Sequence, residues 1–462
     1  MDKTLLENVM DCGNTRDFEN FNYKVIVLDD DPTGTQTVKN LNVYTSWEEE
    51  YVRDGFRSDN NMFYIMTNSR AFSEAKTVEV HKEITQIIDK VSKELEQSYL
   101  IISRGDSTLR GHSYLEPKVL NEESQDGFDA VFYIPSFFEG GRYTHEGIHY
   151  LIEGDAFIPV SESEFANDST FGFKSTTMAD YIAEKSDGEV VSSDVKHIDL
   201  DMLRGCDDAQ LLEFFDSLSD FDKVVVDSVH DNDLAFFTSV LMDYLNREDK
   251  KFIFRTAASF VKSICATPGE ILGTDEMVQK NETQGGIVVV GSHVDKTTKQ
   301  LNYLMEHSDI EEFKFDVEEV KDAEGLKAYV SKLKHRIENC IGDGRNAVVY
   351  TSRKLVKTEN KEESLKISKR ISESLVEIVS TLEIKPKFII AKGGITSSDV
   401  ATIGLGIKKA RVLGQADKGI PVWKTSDEAK YPNMTYIVFP GNVGDQETLH
   451  AVYSKLNRGE RP

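Results

Sequence analysis

The chain has 462 residues, which at roughly 100–200 residues per domain predicts two domains or three. Acidic residues number 80 and basic ones 54, a formal charge of −26, so nucleic acid and anionic membranes, which carry the same sign, are excluded as general partners. A local basic pocket for a small anion stays open, and 39% hydrophobic with 10% aromatic residues is enough for real cores and excludes a disordered acidic polymer.

Residues 1–22 lack clear periodicity and read as an N-terminal arm or a short helix. A repeated pattern follows, in which a short β-branched run leads into a small polar cluster and then a helical period. Lys24–Leu28 runs into Asp29-Asp30-Asp31-Pro32-Thr33-Gly34, Met62–Met66 into Thr67-Asn68-Ser69-Arg70, and Tyr99–Ile102 into Ser103-Arg104-Gly105-Asp106-Ser107. Ala130–Ile134, Val224–Val226 and Phe252–Phe254 behave alike, the last running into Arg255-Thr256. Such continuous apolar runs suit strands buried on both faces of a parallel sheet. Val80, Ile84, Ile87, Ile88, Val91 and Leu95 recur at helical spacing and predict a crossover helix. The stretch 140–222 is less regular and is expected to form excursions near a ligand cleft.

A second series begins after a Glu- and Gln-rich boundary at 275–286. Ile287–Val290 leads into Gly291-Ser292-His293, Ala347–Tyr350 into Thr351-Ser352-Arg353, Phe388–Ala391 into Lys392-Gly393-Gly394, and Tyr436–Phe439 into Pro440-Gly441-Asn442. Ile367, Ile371, Leu375, Ile378 and Leu382 mark another packed helix. The expected fold is α/β: two domains, 23–275 and 285–462, each a mainly parallel Rossmann-like sheet flanked by helices, with a cleft between them.

The four cysteines, Cys12, Cys206, Cys265 and Cys340, are far apart and form no CxxC pair, which argues against a disulfide framework or a structural zinc site. The start carries no secretory pattern and no run of about 18 apolar residues occurs, so a cytoplasmic protein without a membrane span is expected. The histidines His112, His145, His149 and His293 suggest no metal site.

Open α/β sheets bind ligands at the carboxyl ends of their strands, where this chain places its unusual clusters. In the first domain these are Asp30/Asp31, Asn68/Arg70 and Arg104/Asp106/Ser107. Arginine is a bidentate partner for a carboxylate, and aspartate can orient or deprotonate a hydroxyl, so a small polyhydroxylated acid suits the set. The same residue types also serve local structure: Asp and Ser cap helices, and Arg pairs with a neighbouring Asp. In the second domain, Lys392-Gly393-Gly394-Ile395-Thr396-Ser397 and Phe439-Pro440-Gly441-Asn442-Val443-Gly444-Asp445 let backbone N–H groups approach phosphate. Neither loop matches the Walker A or GxGxxG pattern, and each could be a tight turn. Two in one half-chain favour a nucleotide over a nicotinamide dinucleotide.

In combination and order, Asp29–Thr37, Thr67–Arg70, Arg104–Thr108, Lys392–Ser397 and Phe439–Gly444 resemble the four-carbon acid sugar kinase family, from about Tyr23 to about Leu456. The resemblance implies a sugar-acid-binding N-terminal domain and a nucleotide-binding C-terminal domain. It implies substrate contacts from Asp30, Asp31, Arg70, Arg104, Gly105, Asp106 and Ser107, and ATP contacts from Ser292, Gly393, Gly394, Ile395, Thr396, Gly441, Asn442 and Gly444. Asp29 and Pro32 depart from the family's commoner Ala and apolar residue, Arg104 from its Lys, and Ile395 stands where an acidic residue is common. The activity implied is transfer of the ATP γ-phosphoryl group to threonate, erythronate or a 3-oxo-tetronate. Mg²⁺ would be held mostly by ATP oxygens and water, Arg70 and Arg104 would clamp the acid, and Asp106 or Asp31 would act on the attacking hydroxyl. A homodimer is a possible assembly. The rival readings are an NAD-dependent hydroxy-acid dehydrogenase, against which the missing GxGxxG counts, and a sugar-acid or nucleotide sensor without turnover.

Overall fold

Valine, isoleucine and aromatic runs become central strands because their branched side chains pack on both faces of a helix-covered sheet. In chain order the strands are β1 (Lys24–Asp29), β2 (Leu41–Tyr44), β3 (Met62–Met66), β4 (Tyr99–Arg104), β5 (Ala130–Ile134), β6 (Arg142–His145), β7 (Ile148–Glu153), β8 (Ala156–Pro159) and β9 (Lys196–Ile198). They continue with β10 (Asp222–Val226), β11 (Phe252–Thr256), β12 (Ile287–Val290), β13 (Glu311–Phe315), β14 (Ala347–Thr351), β15 (Phe388–Lys392), β16 (Lys409–Asp417), β17 (Ile420–Thr425) and β18 (Thr435–Phe439). The structure is a computed structural model and describes residues 3–7, 9–13, 16–278, 283–292, 294–321, 323–352 and 361–457. The chain divides into one unit of Met1–Thr37 with Ser46–Pro268 and a second of Val38–Thr45 with Gly269–Pro462.

The first unit holds a parallel sheet ordered β3-β1-β4-β11-β5-β10-β9. Its register sets Asp29 beside Met66 on one side and Arg104 on the other, with Thr256 next beyond Arg104. Strand ends carrying charge are therefore adjacent. The predicted crossover helix is Glu74–Leu95. Ser73 caps it by accepting from the Lys76 N–H, and Val80, Ile84, Ile88 and Val91 form its buried stripe. Phe132 stacks on Phe254 at 5.1 Å, and Phe237 and Phe260 extend the aromatic core beneath the strand ends. The irregular region contains a small antiparallel sheet, β6-β7-β8.

The second unit orders its strands β13-β14-β12-β15-β18-β17-β16-β2, parallel through β18 and antiparallel thereafter. All ten strands expected from apolar runs are present. Of the remaining strands, β13 and β16 alternate: β16 buries every second residue from Ala410 to Ala416. The second predicted helix spans Lys361–Thr381, with Ile367, Leu375 and Ile378 buried, and Leu382 lies just beyond its end. His293, Arg353 and residues 279–282 of the expected boundary lie outside the described residues.

One expectation is corrected. Cys12 and Cys206 form a disulfide, with Cα atoms 5.4 Å apart across a sequence separation of 194. Spacing along the chain could not reveal it, because folding lays the arm across the unit. Arg16 donates to the Ser263 carbonyl at 2.7 Å and Asn232 to the Met10 carbonyl at 3.3 Å. Cys265 and Cys340 are buried free thiols. No helix among the described residues is long and apolar enough to cross a membrane.

Candidate functional site

In the first unit, the loops after β1, β3, β4 and β11 bring together a dense set of ionic groups. Arg70 holds Asp30 with two nitrogens (Nη2–Oδ1 2.5 Å, Nε–Oδ2 3.3 Å) and reaches Asp31 at 3.1 Å and Asp106 at 4.0 Å. Arg104 faces Asp29 at 3.4 Å. Arg110 donates to Asp106 from Nε at 2.8 Å, and the Thr108 hydroxyl donates to the same carboxylate. Behind them Arg255 donates to Glu116 at 2.5 Å and to Ser103 Oγ at 2.8 Å, and stands 3.8 Å from Asp30. Glu116 also accepts from the Ser69 and Ser103 hydroxyls.

Five carboxylates thus meet four guanidiniums. The aspartates that the sequence suggests as substrate ligands are also the partners of the arginines. Arg104 is nearly buried, whereas the side chains of Arg70 and Arg110 are 21% and 28% exposed. Only the latter two can meet an incoming acid without a large rearrangement. Gly105 is required by sterics: a Cβ there would collide with the Arg255 guanidinium. The Ser107 carbonyl accepts from His149 Nε2 at 2.9 Å, which ties the β6–β7 hairpin to the loop carrying Asp106.

The environment divides the carboxyls. Burial pushes Asp29 up to about 7, against the attraction of Arg104, and Asp30 and Asp31 add to the rise. Burial also opposes ionisation of Asp31 and Asp106. For Asp31, Arg70 and Thr33 outweigh it; for Asp106, Arg70 and Arg110 do, and both stay below the usual carboxylate range. Asp106 is therefore ionised at every working pH and is a weak proton acceptor, better suited to orienting a hydroxyl than to removing its proton early. We expect Asp106→Asn to lower kcat by about a hundredfold, while the wild-type rate shows no Asp106 limb between pH 5 and 8. An unchanged kcat would remove Asp106 from the mechanism.

In the second unit, the loops after β12, β15 and β18 converge. The register aligns Val290, Lys392 and Phe439 at the strand ends. Gly393 has φ +119°, a conformation L side chains rarely adopt, and its N–H donates to the Phe439 carbonyl at 2.8 Å. A Cβ on Gly393 would lie 3.1 Å from Ser292 Cβ, and one on Gly441 would lie 3.3 Å from Ser292 Oγ. Thr396 packs against Gly291, and Thr297 donates to the Gly441 carbonyl at 3.0 Å. Lys392 lies beneath them, donating to the Pro440 carbonyl at 2.6 Å and standing 4.0 Å from the Phe439 ring centroid. Burial, with Lys296 nearby, brings its pKa down to about 7.

Ser292, Gly393, Thr396 and Gly441 are thus brought together, with Gly394 opening the following helix, Gly394–Asp399. Ile395 points outward, 71% exposed. The Asn442 carbonyl accepts from Lys296, and Gly444 sits instead against Thr448. Such close backbone approach suits phosphate, whose oxygens take N–H donors. Among the described residues no three His, Cys, Asp or Glu side chains gather as a metal site.

Sequence reasoning did not assign Arg255, Glu116 or Arg110 to the site. Arg255-Thr256 carried a signal, standing at a strand end like the other clusters. Glu116, on the helix Leu115–Glu123, carried none, since its burial depends on the tertiary fold.

Comparison with known families matches residues 25–264 to a sugar-binding N-terminal domain and residues 287–449 to a nucleotide-binding C-terminal domain. Comparison with curated proteins gives no match. Among solved structures, a Salmonella typhimurium protein provisionally named a tRNA synthase is similar with TM-score 0.70 and 14% identity, over 94% of this chain and 99% of its own. A Haemophilus influenzae protein of the DUF1537 family is similar with TM-score 0.61 and 16% identity, over 93% and 99%. At these identities the likeness shows the fold alone.

Proposed function

The chain belongs to the four-carbon acid sugar kinase family, and from that premise we propose that it transfers the γ-phosphoryl group of ATP to a hydroxyl of a small sugar acid such as threonate, erythronate or a 3-oxo-tetronate. The observation that carries the reading is the pairing of two different sites in one chain. An aspartate–arginine cluster occupies the strand ends of the sugar-binding domain, and a glycine-lined cradle over Lys392 occupies those of the nucleotide-binding domain.

Arg70 and Arg110, partly exposed, receive the carboxylate. Asp31 and the Gly105–Ser107 loop hold the acid's hydroxyls, Asp30 acts through Arg70, and Asp106 orients the attacking one. Arg104 acts mainly through Asp29, keeping the first strand end in place. Gly393, Gly394 and Gly441 offer backbone to the phosphates, and Ser292 and Thr396 add hydroxyls. Mg²⁺ accompanying ATP would supply charge neutralisation at the phosphates, held mostly by ATP oxygens and water.

The test is ADP release from Mg²⁺-ATP in the presence of a panel of tetronates. Release dependent on one acid is expected. Binding of acid and ATP with no release would favour a sensor without turnover, and thermal stabilisation by NAD in place of ATP would favour a dehydrogenase.

A further inference from the structure

The guanidiniums of the ionic cluster are matched by carboxylates: Arg70 by Asp30 and Asp31, Arg104 by Asp29, Arg110 by Asp106 and Arg255 by Glu116. They bring no surplus positive charge to an incoming acid. A further arginine, at the start of β6, has no such match. Among the described residues Arg142 pairs with no Asp or Glu. Its Nη1 donates to the Gly140 carbonyl of its own turn, and its Nε is buried without an acceptor.

The turn sets the direction of this side chain. Phe137 and Arg142 exchange two backbone hydrogen bonds, of 3.1 and 2.9 Å, around the turn that holds Gly140 and Gly141. A Cβ on Gly140 would stand 2.4 Å from the Phe137 ring and 3.0 Å from Arg142 Nη1, so the guanidinium folds over the turn because that position is glycine. Alternation along β6 puts Arg142 and Thr144 on one face of the hairpin. Thr144 donates to His149 Nδ1 at 2.9 Å, and the other ring nitrogen of His149 meets the Ser107 carbonyl. That face is therefore the one turned to the loop carrying Asp106. The charges agree: burial is the main cause lowering the Arg142 pKa, Asp106 opposes it and Arg110 adds to it. A partly desolvated guanidinium with no counter-ion, repelled by a second guanidinium, is costly, and an anion shared by the two relieves both terms.

We propose that Arg142 binds the carboxylate of the sugar acid and completes, with Arg110, a two-sided seat for it. The proposal rests on the kinase reading above and deepens it. The seat takes the carboxylate end of the substrate and leaves the hydroxyls to Asp31 and Asp106. A planar fork matches a planar carboxylate. A phosphate of ATP is the weaker candidate, because Arg142 belongs to the sugar-binding unit and the glycine cradle over Lys392 to the other.

The test uses the full chain with Arg142→Gln and Arg142→Lys, the sugar acid that supports ADP release, and the neutral amide of that acid. In Arg142→Gln, KM for the acid should rise roughly ten- to a hundredfold, with KM for ATP unchanged. Arg142→Lys, which keeps the charge without the fork, should lose less. Tm should move little, since the protein partner of the guanidinium is a carbonyl of its own turn. The amide should be a poor substrate for wild type and no poorer for Arg142→Gln, so that the variant loses the preference for the acid. An unchanged KM for the acid would overturn the proposal. An equal rise for acid and amide would overturn it too and assign Arg142 to holding its turn, and a rise confined to ATP would assign it to phosphate. Should Arg142→Gln fail to fold, the same acid-against-amide comparison on Arg142→Lys decides. If wild type releases no ADP with any tetronate, the kinase reading fails, and calorimetric titration with the acids and amides then decides the seat separately. Acid binding weakened in Arg142→Gln with amide binding unchanged supports it; equal acid binding in the two proteins, or none to wild type, overturns it.

Discussion

Arg255→Met is expected to destabilise the sugar-binding unit by about 3–5 kcal/mol at neutral pH. The change keeps most of the side-chain volume but removes the guanidinium that donates to Glu116 at 2.5 Å, with Glu116 itself only 1% exposed. An unpaired buried carboxylate is far costlier than the loss of a surface ion pair. Burial alone raises the Glu116 pKa, but Arg255, His81 and the Ser69 and Ser103 hydroxyls hold it down at about 2. A depressed folded-state pKa contributes stability above the unfolded value of about 4.5 that is lost as pH falls through about 2. The wild-type advantage over the variant should therefore be full at pH 7 and shrink below about pH 4.5. Because two units need not unfold together, hydrogen exchange at the amides of β4 and β11 is the suitable measure. Equal protection in the two proteins at pH 7 would mean that the pair contributes nothing.

Lys392→Met is expected to lower kcat/KM for ATP by at least about a hundredfold, on the scale of losing one preorganised donor to transferring phosphate. The ammonium lies directly under the Gly393–Gly441 cradle, and burial keeps its pKa at about 7 without nucleotide. An anionic phosphate favours the charged form, so binding takes up a proton when free Lys392 is neutral. The sign follows: ATP affinity should be greatest below about pH 7 and weaken above it, approaching tenfold per pH unit. Calorimetry in buffers of different ionisation enthalpy should report proton uptake at pH 8 in wild type and none in the variant. A flat affinity profile from pH 6 to 9 would place Lys392 away from the phosphates.

Much of the candidate site could be read from order alone. A cluster such as Asp29-Asp30-Asp31 after an apolar run marks a strand end, and strand ends of a parallel sheet share one edge. That logic located Arg70, Arg104 and Asp106 in one unit and Gly393, Thr396 and Gly441 in the other. It did not decide which arginine faces solvent. Arg104 appears as available in sequence as Arg70, yet it is buried against Asp29 because β4 lies between β1 and β11. Alternating strands such as β16 escaped notice because polar residues, Lys409, Arg411, Gln415 and Asp417, interrupt the apolar run.

The sequence by itself determined the α/β class and the ten strands of continuous apolar character, since burial on both faces leaves a local apolar signature, and its strand-end motifs carried the resemblance to the family. Only the tertiary structure decided the contacts between distant segments. It joined Cys12 to Cys206, set Arg255 against Glu116 and placed residues 38–45 in the second unit. The physical reason is that ion pairing and disulfide closure depend on distance in space and on exclusion of water, and neither is written in the spacing of residues along a chain.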